Sequence, residues 1–246
     1  MTKPNHHEIV VIGVGICGAT IAHELLERGK SVCVIDAAPS PATACSSHAY
    51  AIAHPHIGKG SPRLLRLTRL AFLLAEARWG NVWRAHGIFQ PTKKDRIFNR
   101  QEVSAHLHSL DLKEDLAIAC DLDESERLCG ISQSGVWIAR GATLNRSDAT
   151  KELLREHERL TCLWNKRIVR LEERAGIWHL LDINDEVIIT AKKVVIAAAL
   201  DSKVLISSLG VRLPLRPVRG QLSIFSIKPE DPWVSKLPGV VISGDG

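Results

Sequence analysis

The run Gly13-Val14-Gly15-Ile16-Cys17-Gly18 has the spacing G-x-G-x-x-G, and any chemistry it performs belongs to the main chain. The first glycine permits a tight turn out of a strand. The second lets backbone approach a pyrophosphate, and the third lets the next helix pack closely on that strand. The N–H groups near Val14 and Ile16, at the positive end of that helix, suit phosphate oxygens. Asp36 lies 18 residues after Gly18. A carboxylate there accepts hydrogen bonds from both ribose hydroxyls and disfavours a 2′-phosphate, which argues against NADP.

The surrounding elements are those such a loop needs. Glu8–Gly13 reads as a short buried strand, Ile16–Arg28 as a helix stopped by Gly29, and Ser31–Ile35 as a second strand leading to Asp36. That is a complete βαβ opening. Residues Ala37–Ser61 read as a long loop with one short helix, and Pro62–Trp83 as a helix. On this helix Leu64, Leu67, Ala71 and Leu74 form an apolar stripe, with Arg63, Arg66 and Arg69 on another face. Gly87–Arg140 is more broken, with extended pieces at Ile88–Gln90 and Gly135–Ala139. Asp148–Arg159 reads as a polar helix. Lys166–Leu171, Ile177–Asp182 and Val187–Thr190 read as a three-stranded meander, followed by a separate buried strand at Lys193–Ala199. Arg212–Ser226 and Val240–Ser243 read as extended.

Composition narrows the class. A chain of 246 residues with 45% hydrophobic and 24% charged residues is ordinary globular protein. Its longest apolar runs, Ile9–Val14 and Val194–Leu200, fall far short of a membrane span, and no signal peptide is evident, so a cytoplasmic location is expected. The six cysteines contain no C-x-x-C pair and are expected as reduced thiols. His54 and His56 lack a third ligand, so no metal site is expected. A formal charge of +5 leaves room for a polyanionic partner.

Four stretches carry a resemblance to a known family: Ala44–His56 with its His-Pro-His ending, Arg66–Phe72, Gly135–Gly141 and Leu213–Ser223. Together they resemble the FAD-dependent amino-acid oxidase family, and within it the flavin domain of bifunctional enzymes that modify the tRNA wobble uridine. The resemblance implies an α/β fold: a Rossmann-type FAD-binding domain (1–86 and 141–211) interleaved with a smaller α+β substrate domain (87–140 and 212–246). It implies FAD as cofactor, held by Gly13, Val14, Gly15, Ile16, Gly18, Asp36 and Ala37, with Ser46, Ser47, His48 and Val169 nearby. His54, Arg216, Arg219 and Gln221 are the residues it points toward substrate. It further implies oxidation of a C–N bond of a secondary amine, tRNA as partner and a companion methyltransferase domain that this chain lacks. Oxidation of a free small amino acid, or a non-catalytic FAD-binding remnant, are the alternatives.

Two departures stand out. The family carries a glycine after the strand represented here by Lys193–Ala199, where this chain reads Ala197-Ala198-Ala199-Leu200. The family also continues past the segment represented by Gly244-Asp245-Gly246, so the fold is expected to be incomplete at its C-terminal end.

Overall fold

The computed structural model describes residues 5–58, 60–80, 82–85, 87–93, 96–221, 223, 225–237 and 240–243. Gly244–Gly246 and Leu222 of the resembling stretches lie outside them. The chain forms two compact units, residues 1–49 with 145–222 and residues 50–144 with 223–246.

The first unit is built on a six-stranded sheet. Its strands are β1 (His6–Ile12), β2 (Val32–Ile35), and later β9 (Leu160–Leu163), β10 (Arg170–Arg174), β11 (Ile177–Leu181) and β12 (Val187–Ile196), in the order β10-β11-β12-β1-β2-β9. β12, β1, β2 and β9 run parallel, while β10, β11 and β12 are antiparallel neighbours. Parallel strands are covered on both faces, which explains why Val32–Ile35 are all buried. Alternate residues serve opposite faces. Val10, Ile12, Cys33 and Ile35 pack with Ile168, Leu180, Ile189 and Leu205, the last from α6 (Ser202–Ser207). Val11, Val32 and Val34 pack against Ala22 and Leu26 of α1 (Ile16–Glu27). Helix α5 (Arg146–Glu152) lies beside α1. Gly29, at φ +74°, turns the chain out of α1 as expected.

The second unit holds two small sheets. One has the order β13-β5-β7-β6, from Val241–Ile242, Ile88–Pro91, Gly135–Ile138 and Ile118–Cys120. The other has the order β3-β8-β4, from Ala51–Ala53, Ala142–Leu144 and Arg84–Ala85. Its helices are α2 (Pro62–Arg78), α3 (Arg100–Ser109) and α4 (Leu122–Cys129). Phe72, Ile88, Leu107, Leu112 and Ile138 form its core. Among the described residues no helix is long and apolar enough to cross a membrane.

The fold departs from several expectations. Residues 50–86 pack with the second unit, because β3 pairs with β8 and Phe72 of α2 enters the core beside Ile88. Residues 212–222 belong to the first unit. No helix forms between Ala37 and Ser61 among the described residues; β3 does. Helix α2 ends at Arg78 rather than Trp83, and its expected stripe faces outward: Leu67 and Leu74 are 64% and 70% exposed, while Leu65 and Phe72 are buried. Leucine occurs around the whole circumference of α2, so spacing alone did not select the buried face. The third meander strand and the separate strand after it are one continuous element, β12, since no glycine or proline interrupts Val187–Ile196. Helix α5 stops at Glu152, and the chain re-enters the sheet as β9 from Leu160.

Candidate functional site

The glycine loop lies at the carboxyl end of β1, where a parallel sheet presents ligands to helix N-termini. Gly13 has φ +93°, and a Cβ on it would stand 2.6 Å from the Ala197 carbonyl oxygen. A Cβ on Gly18 would lie 1.9 Å from the Gly13 carbonyl oxygen, so the first turn of α1 rests directly on the loop. Gly15 is different. Its Cβ would meet the Ser46 hydroxyl at 3.0 Å, a side chain rather than backbone.

Gly15 caps α1 without any side-chain acceptor of its own, and the first turn carries no acidic residue. The helix therefore presents its positive end to the groove. Ser46, buried within the following loop, accepts from the Ile16 N–H at 2.9 Å. The loop is tied down by the Ala42 N–H, which donates to the Val14 carbonyl at 3.1 Å. Asp36 holds the other side. Its carboxylate accepts from the Val14 N–H at 2.6 Å and from the Ala38 N–H at 2.9 Å. Its own N–H donates to Leu163 of β9, so the neighbouring strand fixes the acid in place.

These groups surround a groove of about 360 Å³. Gly13, Val14, Gly15, Asp36, Ala37 and Ser46 line it, whereas Ile16 and Gly18 do not. Ser47 and His48 are exposed and do not line it; the loop instead contributes Thr43, Ala44 and Cys45. Val169 also lies off the wall, because its N–H is used by the Leu181 carbonyl at 2.9 Å. Its neighbours Lys166, Arg167 and Ile168 take that place. The far wall is Ala197-Ala198-Ala199, and Ala199 has φ +48°. The family glycine thus has a conformational reason, and here an alanine adopts the left-handed backbone instead.

The proposed substrate residues are not brought into this groove. Arg216, Arg219 and Gln221 are exposed on a stretch with no helix or strand among its described residues. His54 belongs to the second unit. Its Nδ1 lies 2.9 Å from the Pro55 carbonyl, which accepts only, so Nδ1 carries the proton. Its Nε2 lies 3.3 Å from the Ser243 hydroxyl. Arg69, one of the three helix arginines, is bound to Asp111. The cysteines are all free, and burial pushes the Cys33 and Cys120 thiols up to about 12 and about 11. Both are protonated and unreactive at neutral pH.

The family model for FAD-dependent oxidoreductases (DAO) matches residues 8–245. The chain belongs to this family. Its cofactor is FAD, and the residues present fit the cofactor's adenosine diphosphate half: a turn in which Gly13 and Gly18 leave no room for a Cβ, a helix amino end with no acid in its first turn, and an acid at the end of β2. Among FAD-dependent oxidoreductases the chain is similar to two proteins named tRNA 5-methylaminomethyl-2-thiouridine biosynthesis bifunctional protein MnmC. The one from Ralstonia nicotianae is 30% identical over 99% of this chain and 38% of its own length. The one from Thiobacillus denitrificans is 29% identical over 89% of this chain and 36% of its own length. The chain thus spans well under half the length of the curated relatives it matches. Among solved structures, glycine oxidase from Bacillus cereus aligns with a TM-score of 0.62 at 20% identity, covering 82% of this chain and 59% of that one. NikD, an amino acid oxidase of nikkomycin biosynthesis, aligns with a TM-score of 0.65 at 19% identity, covering 85% and 55%. At such identities the likeness shows a shared fold.

Proposed function

We propose that this chain oxidises the carboxymethylaminomethyl group of a tRNA wobble uridine, releasing the carboxymethyl carbons and leaving a free aminomethyl group. The observation that carries this reading is the MnmC likeness, which extends over 99% of the chain and includes the whole glycine groove. FAD, when bound, supplies an acceptor for a hydride from the carbon beside the substrate nitrogen. Loss of that hydride with the nitrogen lone pair closing a C=N bond would leave an imine, whose hydrolysis would give an aldehyde acid and the primary amine. The chain's own part is placement. Asp36, held by the Val14 and Ala38 amides, would face the ribose, and the Ser46 hydroxyl, which accepts from the Ile16 N–H, would donate its own proton toward the pyrophosphate. His54, Arg216, Arg219 and Gln221 remain the proposed substrate-side residues. A methyltransferase is the expected partner domain, and a tRNA substrate puts the reaction in the cytoplasm.

The test is nucleoside mass spectrometry of undermodified tRNA after incubation with the FAD-loaded chain. Conversion of carboxymethylaminomethyl-uridine to aminomethyl-uridine is expected. Inert tRNA together with peroxide release from glycine, N-methylglycine or D-alanine would move the substrate to a free amino acid.

A further inference from the structure

Two charged residues of the flavin groove, Arg167 and Asp201, reach it from different walls. The Lys166 N–H donates to the Asp36 carbonyl at 2.9 Å, so this segment continues from the acid's side of the groove. Arg167 follows at once, and Ile168 after it enters the core beside Ile35 and Leu205. Asp201 ends the short turn Ala199–Asp201 that follows the alanine wall, and its N–H donates to the Ala198 carbonyl at 3.0 Å. The Arg167 Nη1 stands 3.1 Å from the Asp201 Oδ2. This ion pair joins the acid's side of the groove to the alanine side. Among the described residues no other ion pair has both members on the groove wall.

Magnitude decides what such a pair can do. The two side chains are 65% and 60% exposed, and an exposed pair adds little to stability. Its two ends are nevertheless firmly seated, because Ile168 and Leu205, next along the chain from each, are buried. A link between two fixed walls has to part before an elongated ligand can pass it, however little the link is worth to the fold. We propose that Arg167 and Asp201 form a latch on the groove that gates the exchange of FAD without adding to its affinity. The pair opens for passage in either direction, so it slows uptake and release by the same factor and leaves the dissociation constant as it was. This separates it from Asp36 and Ser46, which act by holding the cofactor. The proposal rests on FAD as the family's cofactor and is independent of which amine is the substrate.

The test is stopped-flow flavin fluorescence, with uptake read on mixing the apoprotein with FAD and release read on dilution of the loaded chain. Arg167→Gln and Asp201→Asn are each expected to speed both rates about two- to fivefold, the range an exposed ion pair supplies, with an unchanged dissociation constant. Steering of the anionic cofactor by net charge would act differently, moving the uptake rate in opposite directions in the two variants. The exchanged pair, Arg167→Asp with Asp201→Arg, keeps the net charge and is expected to restore slow exchange. Melting of each apoprotein at the parental temperature shows that the fold is intact. Unchanged rates in both single variants would overturn the latch, and so would opposite shifts in their uptake rates. Faster release with unchanged uptake would overturn it as well, since the two residues would then be contacts of the bound cofactor.

Discussion

The two units build their concave surfaces by opposite means. In the first, the groove is made of main chain: Gly13 against Ala197, Gly18 against Gly13, and an acid whose two oxygens grip backbone amides. In the second, a cavity beside β5 is furnished by side chains, Gln90, Lys93, Arg96 and Phe98. Most of a site made of backbone cannot be altered without moving the fold, because its atoms are also the fold's packing surface. A site made of side chains can lose its function and keep its fold. That difference orders the effects expected from substitution.

The largest effect belongs to Gly18→Ala. Its Cβ would stand 1.9 Å from a backbone oxygen that no rotamer can move, so α1 must lift from β1. A loss of about 3 kcal/mol or more is expected, with no FAD retained. Gly15→Ala should behave otherwise, keeping a near-parental melting temperature while losing FAD affinity, because its obstacle is the movable Ser46 hydroxyl. Equal thermal stability of the two variants would break the comparison.

Asp36→Ala comes next. It removes the acceptors of two backbone amides, one of them on Val14, which is 1% exposed. A stability loss of about 1–3 kcal/mol is expected, together with at least a roughly tenfold fall in FAD affinity. Urea unfolding of the apoprotein and flavin titration read the two separately. A fall in affinity with unchanged stability would mean that the acid serves the ribose alone.

The alkaline limb of stability gives a third measure. Burial, with a smaller contribution from Cys162, pushes the Cys33 thiol up to about 12 from an ordinary 9.0. The fold favours the neutral thiol, so this contribution is whole below pH 9 and is lost as pH rises toward 12, because the unfolded chain ionises first. It reaches about 2 kcal/mol near pH 10.5. Cys33→Ala should therefore flatten the fall in stability up to about pH 12, whereas Cys120→Ala in the second unit, where the thiol rises only to about 11, should flatten it only up to about pH 11, so the two variants part between pH 11 and 12. Parallel pH slopes in the two variants would argue against the deeper burial of the first sheet.

The smallest effect is a gain. Ala199 holds φ +48° at the groove wall, and glycine adopts that backbone without the Cβ penalty. After the entropy cost of glycine, Ala199→Gly should stabilise the protein by about 0.5–1 kcal/mol. A tighter hold on FAD should accompany it. A lower melting temperature would show that the alanine methyl packs usefully where it is.

Constraints that act over short sequence distances are legible in the residues themselves. The glycines, the helix after them and the acid lie within one βαβ unit, and their constraints are steric facts about backbone that the residue types announce. The same is true of Gly29 and of the continuous apolar runs of β1 and β2. What the chain could not announce was partnership over distance. Helix α2 is rich in leucine on every side, and only packing of Phe72 against Ile88 chose which leucines are buried. Nothing in Val169 itself shows that Leu181 takes its N–H and leaves Lys166–Ile168 to line the groove. The cavity of the second unit joins Gly58 to Gln90 and Val103 through a core assembled from several short elements. Local sequence sets backbone conformation through sterics, whereas the burial of a particular face is decided by which distant apolar surface meets it, and that is a property of the folded chain.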